Sequence, residues 1–300
     1  WSYVPALVLL TGVNLGMAFC DVLTDGIMVE RGGAAGKTGL YQSAQIGTLY
    51  LTLLATGAGG GWLAEHAAPR VVFALTALFP AVIFLAAFTV EESAVAAGGS
   101  AGAAFGALKD LCSTSSFWAV CLVIFLFNFT PFQGTAMFYY QADALGFSKF
   151  FIGSLTSVGG VAGVLAAGLF FRGYGGELRL GSRRLTLDTE ELVRWTVTAG
   201  AALNLLFLLY RGEASALALT IVFGVLGVLM RLSLMDLAAK ASIGAAPATA
   251  FAVFMSVFNL AAWSSNKLGA SLYGSLALGP GGPRGAMGIL VLLSSAAMLA

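Results

Sequence analysis

The sequence predicts an all-α integral membrane protein. Three observations predict it: nine long apolar segments fill most of the chain, the composition suits lipid rather than water, and charges, prolines and glycines gather in the breaks. Hydrophobic residues make up 59% of the 300, charged residues only 10%, and mean hydropathy is +0.91. Such a chain cannot cover a water-facing surface. A formal net charge of +1 leaves no basic face for a nucleic acid. Partners are therefore sought among the lipid bilayer, small solutes and protons, in a plasma membrane or an organelle's inner membrane.

A hydrocarbon core ~30 Å thick takes ~20 helical residues to cross. That places spans near 4–29, 40–64, 70–90, 116–142, 150–172, 192–210, 215–237, 248–273 and 285–300. The first break is Arg31 with two glycines, and the second runs from His66 to Pro69. The Gly- and Ala-rich 91–109 follows, then the charged 172–191 and the Gly279 to Pro283 turn. Segment 178–188 alternates around a Gly-Ser, which fits a small hairpin, although a solvated basic loop is the commoner outcome. Three domains follow: 1–90 with three spans, a central loop over 91–115, and a six-span bundle over 116–300.

Orientation comes from basic residues in alternate loops. One side holds ten, including Arg31, Lys37, Lys109, Arg172, Arg231 and Lys240; the other holds Arg70, Lys149, Arg211 and Arg284. The richer side is cytoplasmic, and the chain enters from outside. A chain that starts at Trp1 and stops in mid-run at Ala300 is expected to be a fragment, with three helices missing at the front.

The first span carries Asn14, Ala18, Asp21 and Asp25 at spacings of four, three and four, which stacks them on one helix face. An ionisable group inside a span costs a few kcal/mol on insertion scales, roughly 2.5–3.5 at the helix centre, unless it has a partner, a cavity or a role. Two carboxylates one turn apart cannot both ionise cheaply at low dielectric, so Asp21 and Asp25 read as a proton-coupling and solute-binding pair. A structural pair held by a neighbouring cation is the alternative.

The fourth span is the most polar, with Asn128, Thr130, Pro131, Gln133, Gly134 and Thr135 ahead of Phe138, Tyr139, Tyr140 and Gln141. Pro131 and Gly134 bend a membrane helix, and the freed backbone groups survive only where protein or water satisfies them. Asn128 and Gln133 are the ligand candidates, while Phe138 to Tyr140 also suit an interfacial aromatic belt. The eighth span has a second stripe, Ser256, Asn259, Trp263 and Lys267, again at helical spacing. It reads as a cavity face, with Lys267 either snorkelling to the interface or pairing inside. The glycines at 57–61 and 159–163 lie in apolar sequence and read as close helix packing rather than phosphate binding.

Cys20, Cys112 and Cys121 are odd in number, and two of them lie in or beside apolar runs, so neither a disulfide nor a metal site is expected. Lone His66 in a short turn reads as an interfacial, solvated side chain. No nucleophile–base pair or cofactor motif is present, which leaves an enzyme the weakest class and a cofactor unexpected.

Several of these segments resemble one family. Asp21-Val-Leu-Thr-Asp25-Gly-Ile-Met-Val-Glu30-Arg31 is similar to the fourth-helix signature of folate-biopterin transporters, a branch of the major facilitator superfamily. Phe138 to Gly153 resembles that family's seventh helix and following turn, and Phe251 to Leu260 with Leu268-Gly269-Ala270 its eleventh helix. The resemblance implies a major facilitator fold in which the nine spans are helices four to twelve of twelve, and a proton-driven carrier of a folate or pteridine by alternating access. Asp21 and Asp25 would then handle the proton or a substrate amine. Asn128, Gln133, Ser256, Asn259 and Lys267 would line the cavity. A carrier of an unrelated solute on the same fold, or a receptor without transport, are the alternatives. Leu49 stands where the family has a basic residue inside the fifth helix, Asp143 where it has Asn, Lys149-Phe150 where it has Pro-Glu, and Pro247 where it has Glu. Loss of a buried cation argues against an anionic solute.

Overall fold

The structure is a computed structural model and describes residues 3–89, 101–173, 178–180, 183–185, 199–242 and 247–299. Ten of its helices reach at least ten residues: α1 (Tyr3–Ala34), α2 (Thr38–His66), α3 (Pro69–Ala87), α4 (Ala101–Cys112), α5 (Ser115–Asn128), α7 (Lys149–Gly173), α8 (Ala199–Leu209), α9 (Glu213–Ala241), α10 (Pro247–Leu276) and α11 (Gly282–Leu299). The short α6 (Thr135–Tyr139) runs into a π-helical turn over Tyr140–Ala144. Helices α1, α3, α7, α9, α10 and α11 are long and apolar enough to cross a membrane, and α5 and α8 are shorter apolar helices. The protein is a multi-pass integral membrane protein.

Three segments differ from the sequence expectation. The fourth span is not one helix: α5 stops at Asn128 and α6 starts at Thr135, because Pro131 has no N–H to give and Gly134 takes φ +64°. The central loop contains α4, whose Ala- and Leu-rich sequence favours helix. Leu178–Leu180 and Arg183–Leu185 pair antiparallel as the hairpin β1–β2, with Arg179 opposite Arg184, where a solvated loop was the commoner expectation. The Glu91-Glu92 break, the rest of the 172–191 loop and positions 192–198 of the sixth span lie outside the described residues.

The packing centre is the antiparallel pair α2 and α7. Gly61 meets Gly153, Gly57 meets Gly153 and Ser157, Gly160 meets Leu54, Gly163 meets Tyr50, and Gly47 meets Ala167. A Cβ on Gly57 would come within 2.7 Å of Ser157 N, and one on Gly160 within 2.5 Å of Leu54 N. Backbones this close exclude side chains, and in lipid such contact replaces the hydrophobic effect as the force between helices. The Ser157 hydroxyl adds a polar tie, accepting the Ala58 N–H at 2.8 Å and donating to Leu54 O at 3.0 Å.

Both ends of α2 are fastened across to later helices. Glu65 accepts the Phe150 N–H at the start of α7, at 2.9 Å. At the other end Thr38 donates to buried Asp236 on α9 at 2.9 Å, Asp236 pairs with Lys240 at 2.9 Å, and Gln42 donates to Met235 O at 2.7 Å. One buried cluster gathers Met28, Phe170, Leu232 and Phe254; another gathers Phe132, Tyr140, Tyr273 and Leu290.

Candidate functional site

A cavity of about 1040 Å³ opens among α5 to α11, with Tyr50 of α2 reaching in. On α9 its wall runs from Thr220 to Arg231, between Leu219 of one buried cluster and Leu232 of the other. Aromatic rings supply much of the lining, among them Phe127, Tyr139, Phe207, Phe223 and Phe258, and amides come from Asn128, Gln133, Gln141, Asn204 and Asn266. Flat apolar walls with a few convergent polar groups are what a small-molecule site requires.

The break between α5 and α6 forms one wall. The Thr130 N–H donates to Ser265 Oγ at 3.0 Å, and the Thr135 N–H donates to Asn266 Oδ1 at 2.8 Å. These α10 side chains replace helical carbonyls that the break removes. Gly269 lets α10 come close enough to do so, since a Cβ there would collide with Pro131 O.

Arg231 is the one charged side chain among the described residues of the lining. Its guanidinium lies 4.7 Å from the Phe258 ring centroid, and its Nε is buried without a hydrogen-bond acceptor among the described residues. A cation with an open donor beside aromatic walls suits a carboxylate on a flat ligand. Sequence reasoning counted Arg231 among cytoplasmic loop cations, although it falls inside the 215–237 span. A charge inside an apolar run was the available signal. Arg231 places a cation on the cavity wall from α9, whereas α2 carries Leu49.

The residues singled out from sequence are placed as follows. Asn128 and Gln133 line the cavity, and the Asn128 amide donates to Ile124 O at 2.7 Å. Asp25 is 6% exposed and accepts from Gln45 Nε2 at 2.7 Å, whereas Asp21, one turn earlier, is exposed. The two carboxylates lie on α1, outside the cavity wall. Ser256, Asn259 and Lys267 are also exposed and do not line it. Instead α10 presents Phe258, Ala262, Ser265 and Asn266 to the cavity, the neighbouring face of the same helix. Lys267 Nζ rests 5.3 Å from the Trp263 ring centroid. His66 stacks on Trp62 at 4.9 Å between ring centroids, at the exposed end of α2. Among the described residues no group of three or more His, Cys, Asp or Glu is placed to hold a metal.

Fold and cavity together describe a polytopic membrane protein with a cavity among its described helices. Residues 2–174 match the BT1 family, and the chain belongs to that family, the folate-biopterin transporters that its motifs resemble. It is 29% identical over 274 residues to a protein of Synechocystis sp. named folate-biopterin transporter, an alignment covering 86% of this chain and 53% of that one. It is 25% identical over 206 residues to a Plasmodium falciparum protein named folate transporter 2, covering 65% of this chain and 43% of the relative. The chain spans about half the length of the curated relatives it matches. No solved structure matches it.

Proposed function

We propose that this chain is part of a secondary transporter for a folate or pteridine-like anion, working by alternating access in a major facilitator arrangement of two helical bundles. Arg231 carries the reading: among the described residues it is the one charged side chain lining an aromatic and amide-walled cavity, with an open donor. The names of the relatives, folate-biopterin transporter and folate transporter 2, point to the same solute class.

In this reading Arg231 pairs with a solute carboxylate, the rings of the wall stack on a heterocycle, and Asn128 and Gln133 hydrogen-bond its edge. Asp21 and Asp25 couple protons to the cycle from α1. Ser256, Asn259 and Lys267, on the face of α10 turned from the chamber, line the path that opens when the bundles rock.

The test is uptake of labelled folate or pterin by the full-length protein in sealed vesicles, competed by unlabelled compound. A hydrogen bond to a charged group contributes about 1.5–3 kcal/mol, so Arg231→Gln raises KM for folate by roughly tenfold to hundredfold. Arg231→Lys recovers part of the loss, because a point charge cannot make a two-pronged contact. Saturable uptake of an unrelated solute without pterin competition favours a different cargo, and binding without flux favours a receptor. For the proton, Asp21→Asn and Asp25→Asn keep shape and remove titration. At least one abolishes the response of uptake to an imposed pH gradient while exchange without a gradient persists; a double variant that still responds rules the pair out as couplers.

A further inference from the structure

Asn266 lies one position from the polar stripe read off α10, and it does two things at once. Its Oδ1 accepts the Thr135 N–H at 2.8 Å, and a Cβ on Gly134 would approach that same oxygen to 2.6 Å, so glycine is required where φ is +64°. An N–H needs an oxygen opposite it, which fixes the side-chain amide in one orientation. Its Nδ2 is then left on an exposed, cavity-lining side chain with no acceptor among the described residues.

We propose that Asn266 is a specificity-determining residue that presents a preset pair of N–H donors to an acceptor on the solute's heterocycle, a ring carbonyl. This deepens the transporter reading and rests on it for the pteridine class. Ser265 is its positioning neighbour. The Ser265 hydroxyl takes the Thr130 N–H at 3.0 Å and donates to Asn128 O at 3.4 Å. With both residues in place, the α5–α6 break and the α10 donor face form one rigid corner beside Gln133. A site arranged to hydrogen-bond one edge disfavours an analogue that lacks the matching group once the solute covers the donor. Asn266 therefore favours an oxo-substituted ring over its amino-substituted counterpart.

Asn266→Asp tests this directly. An aspartate still offers an oxygen to Thr135, so the corner is kept, but it turns the donor facing the solute into an acceptor. In the full-length protein, KM is measured for a pterin carrying the ring carbonyl and for the counterpart with an amino group in its place. The expected result is a shift in the ratio of the two KM values by tenfold or more toward the amino compound. Asn266→Ala, without the added charge, moves the ratio toward one. Ser265→Ala raises both KM values by a common factor, as positioning alone predicts. A ratio unchanged in both Asn266 variants overturns the proposal. If the wild type shows no uptake but the purified protein binds pterin saturably, transport is wrong and the ratio of binding constants decides Asn266. Absence of any pterin binding overturns both.

Discussion

Helices α2 and α3 follow one another in the chain, and both were expected to span, although of the two only α3 is among the helices long and apolar enough to cross a membrane. Among its described residues α3 buries none, while α2 buries Thr38, Gly39, Gln42, Ser43 and Ile46 and lies along the whole of α7. The more apolar helix is the less engaged. Lipid is as apolar as leucine, so hydrophobic side chains bring a helix into the bilayer without telling it what to pack against. Small residues and polar ties do that, and α2 has both: glycines at 47, 57 and 61, and the bonds of Thr38, Gln42 and Glu65 to later helices.

The sharpest way to break this comparison is Gly160→Leu in the α2–α7 seam. Its Cβ would overlap the Leu54 backbone, which cannot move aside, so the expected cost exceeds the ~1–3 kcal/mol of ordinary overpacking. Loss of a monodisperse peak in detergent is the readout; Ala77→Leu on α3 leaves that peak in place. Asp236→Ala comes next. It strips a buried acceptor from Thr38 and the partner of Lys240, at about 1–3 kcal/mol, seen as a lower thermal midpoint. Ser157→Ala removes one interhelical hydroxyl, and bonds of that kind average ~0.6 kcal/mol in membranes. Its midpoint falls slightly, and a drop as large as that of Asp236→Ala would mean the hydroxyl matters more than the glycines. Leu78→Ala on exposed α3 is the smallest, within ~0.5 kcal/mol. Equal losses from Leu78→Ala and Asp236→Ala would remove the distinction between the two helices.

The two aspartates of α1 repeat the contrast within one helix. Asp25 is buried against Gln45 and Asp21 is exposed, although periodicity puts both on one face. Sequence spacing gives the face of a helix; it does not give the depth at which a neighbour ends.

Composition by itself determined the membrane class, because no arrangement of a chain with 59% hydrophobic and 10% charged residues can hide its apolar surface from water. Local motif and turn chemistry determined the family and the bend at Pro131 and Gly134, while the first break, expected at Arg31 and its two glycines, falls after the end of α1 at Ala34. Helical periodicity showed that α10 has polar groups, and favoured the face of Ser256, Asn259 and Lys267. Tertiary structure turned a neighbouring face, Ser265 and Asn266, toward the cavity, where Gly269 lets α10 close on Pro131. It also moved Arg231 from loop to cavity wall. The physical reason is the same in both cases: the rotation of a helix about its axis is fixed by close contacts with other helices, and those contacts join residues far apart in the chain.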